Sequence, residues 1–175
     1  MGGWFLGMSE DGMKILFGSG PQPDARPAVF LRDRAGGSTR LLAPLVTTWR
    51  RSASTRPTPL AIAGQPDGPT AALSADGRRA AIQTALPTGS DDANGVDDIV
   101  VVDLATGIER PATRSASGCP GSGASGEPTF SRDGSIIAFT SEADDLAGSD
   151  NHRLTDIFVR DMVADRTERV RATRR

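Results

Sequence analysis

Cysteine, histidine and lysine each occur once in this chain of 175 residues, as Cys119, His152 and Lys14. A single cysteine excludes an intramolecular disulfide, and it fits a reducing or an oxidising compartment equally well. A single histidine excludes a multi-histidine zinc site. No apolar stretch is long enough to span a bilayer as a helix. The first residues, Met1-Gly2-Gly3-Trp4-Phe5-Leu6-Gly7, have neither a basic start nor a sustained apolar run, so they are not a signal peptide as they stand. A net charge of −2 gives no global field toward nucleic acid or an anionic membrane, and neither is expected as a partner. The lone lysine among many arginines reads as a coding bias of the source rather than as function. Helix-forming runs are scarce, whereas 20 glycines and 12 prolines favour short strands joined by turns.

What the chain does have is one turn written three times. It reads Met8-Ser9-Glu10-Asp11-Gly12, Leu73-Ser74-Ala75-Asp76-Gly77 and Phe130-Ser131-Arg132-Asp133-Gly134. The Asp can bond back to the local backbone and the Gly can take positive φ. An apolar run follows each copy, and further on comes a strand-like segment ending in Asp33, Asp103 or Asp161. A repeat of this kind decides the architecture before any single motif does.

The third copy gives the plan most clearly. Pro128 to Ser131, Ile136 to Ser141, Asp156 to Asp161 and Arg166 to Arg171 read as four strands, the last an arginine-rich exposed edge. The second copy repeats the plan near Thr70 to Ser74, Arg79 to Thr84, Asp98 to Asp103 and Ile108 to Ala112. The first runs from Trp4 to Leu42. Four strands per unit, repeated at intervals of about 40 residues or more, predict propeller blades. The expected fold is therefore all-β: a partial or open β-propeller of about three four-stranded antiparallel blades. The blades are expected near 4–42, 70–112 and 127–171, within one domain covering 1–175. Residues 43–69 form an insertion or a degenerate blade. Three blades are too few for a normal closed ring, whose lower limit is about four.

Pro128-Thr129-Phe130-Ser131-Arg132-Asp133-Gly134, with Ile137-Ala138-Phe139 after it, resembles the TolB-like β-propeller repeats, relatives of the WD repeats. Asp156-Ile157-Phe158-Val159-Arg160-Asp161 resembles the third strand of bacterial members. The resemblance implies a propeller fold and an extracytoplasmic protein. It leaves the activity open, because one fold hosts many roles.

In such blades the Ser-x-Asp-Gly turns share one face with the turns between third and fourth strands. The long connections share the other face, where binding sites are expected. They run over 19–27, 43–69, 85–97, 111–126 and 142–155. Asp91, Asp92, Asp97, Glu142, Asp144, Asp145 and Asp150 make one sector acidic, and Arg50, Arg51 and Arg56 make another basic. Ordinary solvated loops account for this equally, and that reading is preferred.

The best candidate for chemistry is Asp92-Ala93-Asn94-Gly95-Val96-Asp97-Asp98, where Asp92, Asn94 and Asp98 offer oxygen ligands around a glycine bend, as a calcium ion requires. The plainer alternative is an Asx-rich turn feeding a strand without metal, and it is preferred because partial loop motifs often mislead. No other cofactor is expected. Asp33, Asp103 and Asp161 recur once per blade, which argues for turn capping rather than catalysis. Gly121-Ser122-Gly123-Ala124-Ser125-Gly126 matches a dinucleotide fingerprint formally. A strand rather than a helix follows it, so a flexible loop between blades is expected. Cys119 reads as an incidental loop cysteine. Trp4 and Trp49 read as packing or partner residues. No Gly-x-Ser-x-Gly elbow or nucleophile–His152 pair stands out.

Three functions compete. The leading one is a non-catalytic propeller module that binds a protein or other macromolecule through its long-loop face. It would show a rigid loop face with an exposed apolar or aromatic patch. A propeller hydrolase, lyase or peptidase, whose catalytic residues lie outside this chain, is the alternative. An enzyme site within the chain would show a pocket with His152 or inward carboxylates. A fragment would leave an apolar blade face uncovered or hide it by self-association.

Overall fold

Each Ser-x-Asp-Gly segment closes a tight reversal between two strands, and the three copies do so with the same bonds. The computed structural model describes residues 3–19, 28–44, 70–148 and 154–170. In each copy the Ser hydroxyl donates to the Asp carboxylate at 2.6 Å and accepts from a backbone N–H five residues on. The same Asp accepts from the amide two residues after it. Gly12, Gly77 and Gly134 all sit at φ between 65° and 68°, where only glycine is unstrained. Asp133, accepting from Ser131 first and then from Ser135, is held down at about 2, and Asp11 is lowered by Ser9 and Met13 in the same way.

The reversals organise twelve strands into three four-stranded antiparallel sheets with no helix among the described residues. Blade 1 is β1 (Gly3–Met8), β2 (Lys14–Ser19), β3 (Ala28–Asp33) and β4 (Ser38–Pro44). Blade 2 is β5 (Ala71–Leu73), β6 (Arg79–Thr84), β7 (Asp98–Asp103) and β8 (Glu109–Pro111). Blade 3 is β9 (Ser125–Phe130), β10 (Ile136–Ser141), β11 (Asp156–Asp161) and β12 (Arg166–Arg169). Strand order in every sheet follows chain order. The architecture is a partial β-propeller of three blades. Residues 45–69, which include most of the expected insertion and Trp49, lie outside the described residues. β9 begins at Ser125, before the proline that the repeat pattern marks as its start. Glu127 takes positive φ there, and the pairing with β10 shifts register at Ala138/Thr140.

The turns at the third-to-fourth strand junctions are capped as the recurrence of Asp implies. Asp103 accepts from the amides of Ala105 and Thr106, Asp161 from those of Val163 and Ala164, and Asp33 from that of Gly36. These bonds lower the Asp103 and Asp161 carboxyls.

Blades pack face to face, and the core is the space between them. Leu16, Val29 and Leu31 of blade 1 meet Ala80, Ile82, Val100 and Val102 of blade 2. The opposite face of blade 2, Ala81, Ile99 and Val101, meets Ile137, Phe139 and Phe158 of blade 3. Period-two alternation sends neighbouring residues of one strand into different interfaces. β7 is therefore buried on both faces and reads as a continuous apolar run, Ile99-Val100-Val101-Val102. Two long cations tie the turns together: Lys14 Nζ donates to the Gly77 carbonyl at 3.0 Å and Arg79 Nη1 to the Gly134 carbonyl at 2.6 Å.

Ser74 is fully buried beneath the blade 3 turn, whereas Ser131 has no blade above it among the described residues and is half-exposed. Replacing Ser74 with Ala leaves the Arg79 amide without its hydroxyl acceptor. This should lower unfolding free energy in urea by about 1–3 kcal/mol, and Ser131→Ala should cost clearly less. Equal losses would show that the turn bonds act without regard to blade packing.

Candidate functional site

The long connections within blades 2 and 3 and the one that joins them form one hydrogen-bonded surface. Arg114 holds Asp91 with two bonds of 2.9 and 3.1 Å, and its guanidinium also reaches the Gly118 carbonyl. The Arg114 contact keeps the Asp91 carboxyl below its ordinary value. Asn94 Nδ2 donates to the Gly121 carbonyl at 2.8 Å. Ser122 donates through its amide and hydroxyl to Asp145 and through the hydroxyl to Asp144. The Asp144 amide returns a bond of 3.2 Å. The Ser125 amide donates to the Asp97 carbonyl at 2.7 Å. Three connections that are separate in sequence are thus fixed to one another.

The glycine-rich segment expected to be a flexible loop is part of this surface and is closely packed. A Cβ on Gly123 would lie 2.6 Å from the Glu142 backbone, and one on Gly121 would lie 3.2 Å from the Thr113 carbonyl. Ser125 and Gly126 already belong to β9. The fingerprint reading fails, and so does the expectation of flexibility: these glycines let two backbones approach.

Beneath the surface lies a pair of buried carboxylates. Asp92 accepts from the Thr88 amide at 2.7 Å and from the Thr88 hydroxyl at 3.1 Å. Asp98, the first residue of β7, is 1% exposed and accepts from Thr113 Oγ1 at 2.5 Å, while its Oδ2 is buried without a hydrogen-bond partner. Burial pushes the Asp98 carboxyl up to about 6 against the pull of Thr113, and the nearby Asp92 and Asp97 add to the rise. The equivalent residue of blade 3, Asp156, is paired instead with Arg169 at 3.3 Å. Among the described residues no cation pairs with Asp98, because Pro111 stands on β8 where Arg169 stands on β12.

Of the three candidate ligands, the structure brings Asp92 and Asp98 together and engages Asn94 with backbone groups. The Asn94 amide oxygen is engaged by the Val96 amide at 3.1 Å and its nitrogen by Gly121. Among the described residues no group of three or more His, Cys, Asp or Glu side chains is arranged to hold a metal ion. His152 and Asp150 lie outside the described residues. Cys119 is an exposed free thiol in the loop before β9. Trp4 packs flat over Gly18, where any Cβ would overlap the indole.

A groove of about 730 Å³ opens beside the loop surface, between the outer edges of blades 2 and 3. Five arginines line it (Arg110, Arg114, Arg160, Arg166 and Arg169) against two acidic residues, Asp165 and Glu168. Arg160 is buried, donates to Thr167 Oγ1 at 2.9 Å and pairs with Asp165. Arg166 pairs with Glu168 at the mouth. Arg110 is exposed and has no ion-pair partner among the described residues. The groove is not legible in the sequence, where the arginines of β12 read as an exposed edge. A usable signal lies instead in Arg160, which breaks the apolar alternation of β11.

No protein-family model matches the chain, and no curated protein matches it in sequence. Solved structures share its fold. TolB from Acinetobacter baumannii is 15% identical with a TM-score of 0.55, over 93% of this chain and 31% of its own. The propeller domain of the Trilobed protease from Pyrococcus furiosus, described as having an open velcro topology, is 12% identical with a TM-score of 0.57, over 98% of this chain and 43% of its own. The tricorn protease is 16% identical with a TM-score of 0.53, over 89% of this chain and 13% of its own. The shared fold is a β-propeller, and the chain spans less than half the length of each of these proteins. They include TolB and two proteases, so the fold alone does not decide between binding and catalysis.

The Asp98 carboxyl generates a pH dependence of defined sign. Its value in the fold is raised above the unfolded 3.8, so the stability linked to its proton is full below about pH 4 and is lost as pH rises through about 6. Wild-type stability should fall across this window by up to about 3 kcal/mol relative to Asp98→Asn, which has no proton to lose. Urea midpoints of the two proteins between pH 4 and 7.5 check this. Parallel profiles would rule out Asp98 as the titrating group.

Proposed function

We propose that this chain is a non-catalytic propeller module that binds a protein or other macromolecule through the face carrying its long loops. The observation that carries this reading is the cross-bonded surface made by the loops around Asp91, Asn94, Arg114, Ser122 and Asp145. Loops fixed before binding lose little conformational entropy on binding, which is the physical requirement for a recognition surface on a rigid scaffold. The neighbouring groove favours an acidic segment of the partner. Arg110 stands exposed at it without an ion-pair partner among the described residues, and Arg166 stands exposed beside it paired with Glu168, with which a carboxylate of the bound segment would compete. Guanidinium groups recognise carboxylates by paired hydrogen bonds.

A second reading has one observation in its favour. Two of the proteins sharing the fold are proteases, one of them solved as its propeller domain alone. On that reading the chain is the propeller part of a hydrolase or peptidase whose catalytic residues lie outside it.

Calcium enters only through Asp92 and Asp98, since Asn94 is committed to Gly121 and Val96. A bound cation would offset the charge that Asp98 carries once pH passes about 6, and would raise the melting temperature as free calcium exceeds its dissociation constant. A melting temperature at pH 7 indifferent to both calcium and chelator removes the metal from the account.

Binding is tested with a peptide array spanning acidic, basic and apolar sequences. Acidic peptides should be retained by the wild type, with affinity falling as salt rises, and lost by the Arg110→Glu/Arg166→Glu double variant. Arg78→Glu, on the opposite turn face, should bind like the wild type. Cleavage of the retained peptides would instead support the peptidase reading, and retention indifferent to the groove charges would reject the acidic partner.

A further inference from the structure

Among the described residues no blade covers the two outer faces of the three-blade stack, and each face duplicates one half of the buried interface between blades 2 and 3. In that interface Phe139 of β10 and Phe158 of β11 are opposite partners in the ladder, with rings stacked at 5.9 Å and 20°. Both are 2% exposed. They press on Ala81, Ile99 and Val101 of blade 2, which are also buried.

The free face of blade 1 carries the same pair. Phe17 of β2 and Phe30 of β3 are opposite partners with rings stacked at 5.6 Å and 19°. Counted from the turn serine and from the first residue of the third strand, Phe17 and Phe30 occupy the places of Phe139 and Phe158. The match extends outward. Ile15 stands where blade 3 has Ile137, and Arg32 bonded to Thr39 stands where blade 3 has Arg160 bonded to Thr167. Phe5 and Leu41 lengthen the row across the whole sheet, through the ladder pairs Phe5 with Phe17 and Phe30 with Leu41. They are 62% and 51% exposed.

The free face of blade 3 carries the matching socket. Ala138, Ile157 and Val159 occupy the places of Ala81, Ile99 and Val101, and the residue types are identical. Ala138 pairs with Val159 across the ladder as Ala81 pairs with Val101. Ile99 is fully buried, whereas Ile157 is 52% exposed. Socket size decides which knob fits. The interface between blades 1 and 2 sets a large socket, Leu16, Val29 and Leu31, against small knobs, Ile82 and Val100. The interface between blades 2 and 3 sets a small socket against two phenylalanines. An Ala-Ile-Val socket therefore calls for a Phe-Phe knob, because interiors are packed without voids and a mismatch of a few methylenes is felt.

We infer that two copies of this chain close head to tail into a ring. Phe17 and Phe30 of each copy seat on Ala138, Ile157 and Val159 of the other. A head-to-tail contact either closes or runs on as a filament. Two copies supply six blades, within the range of about four to eight that closes. The turns agree. Ser74 of blade 2 lies 3.0 Å from where a Gly134 Cβ would be, and at the new junction the half-exposed Ser131 would meet Gly12, whose nearest neighbours belong to its own blade. One bond is not reproduced: Ile136 replaces the arginine of Arg79, so this junction is drier than the one it copies.

The experiment is the mass of the full chain in solution by light scattering across a hundredfold range of concentration, with three further samples. The wild type should have twice the chain mass. Phe30→Asp removes the knob and Val159→Asp the socket, both at positions only half-buried in a single copy, so each should keep the wild-type circular dichroism. Each should run as a monomer, with dimer affinity reduced by more than about a hundredfold. Mixed together, the two variants still hold one intact knob and one intact socket and should recover a dimer. A wild-type monomer would overturn the proposal, as would a dimer indifferent to both substitutions, an open ladder of masses or a mixture that stays monomeric.

Discussion

A four-stranded sheet with two apolar faces cannot be stable alone, and every other feature of this molecule depends on how those faces are paired. Among the described residues, blade 2 alone has a blade packed on both faces. Its third strand shows the consequence: Ile99, Val100, Val101 and Val102 are all buried, alternately against blade 3 and blade 1. Each such side chain contributes about 1.5–3 kcal/mol by leaving water. That sum is available only while the neighbouring blade supplies a complementary volume. Leu16 and Leu31 opposite Ile82 and Val100, and Ala81 and Val101 opposite Phe139 and Phe158, are two solutions of the same volume problem.

The Ser-x-Asp-Gly turn serves this packing. Its internal bonds make a rigid knuckle, and its glycine lets the knuckle of one blade rest on the serine of the blade before. A Cβ on Gly77 would lie 3.1 Å from Ser9 Cβ. Lys14 and Arg79 then reach forward to the turn carbonyls of the next blade. The bonds that close a turn and the bonds that stack the blades thus share the same few residues, which explains why this segment is written three times while the loops differ freely.

The sequence was most legible where a local rule sufficed. The knuckles and the capping aspartates Asp103 and Asp161 follow from short-range hydrogen bonding alone, and so do the strand counts. The candidate site was less legible because its partners come from afar. Asp98 meets Thr113 across the ladder from β7 into the loop after β8, and Arg114 meets Asp91 across another. Asn94 looked like a ligand beside Asp92 in sequence, yet the Gly121 carbonyl, supplied by a different connection, engages its amide. Charge spacing cannot show which of several nearby oxygens is already committed to a donor. The glycine-rich segment misled for the same reason: glycine permits flexibility in isolation and close backbone approach in a packed setting, and only the neighbouring Glu142 decides between them.

The two kinds of surface lie on different parts of the molecule, and that separation has a physical consequence. The loop surface and its arginine groove sit over the junction of blades 2 and 3, inside one chain. The apolar faces left without a neighbouring blade among the described residues belong to blades 1 and 3. Joining those faces therefore leaves the groove uncovered. In a ring closed about a two-fold axis along the channel, both loop faces point to the same side, since the rotation does not invert the axis. Such a pair presents two identical grooves to one partner surface. Binding at the second groove becomes intramolecular once the first is filled, so a weak, salt-sensitive contact at each gains strength without any new interaction. Packing that hides Phe17 and Phe30 would in this way set the valency of recognition at Arg110 and Arg166.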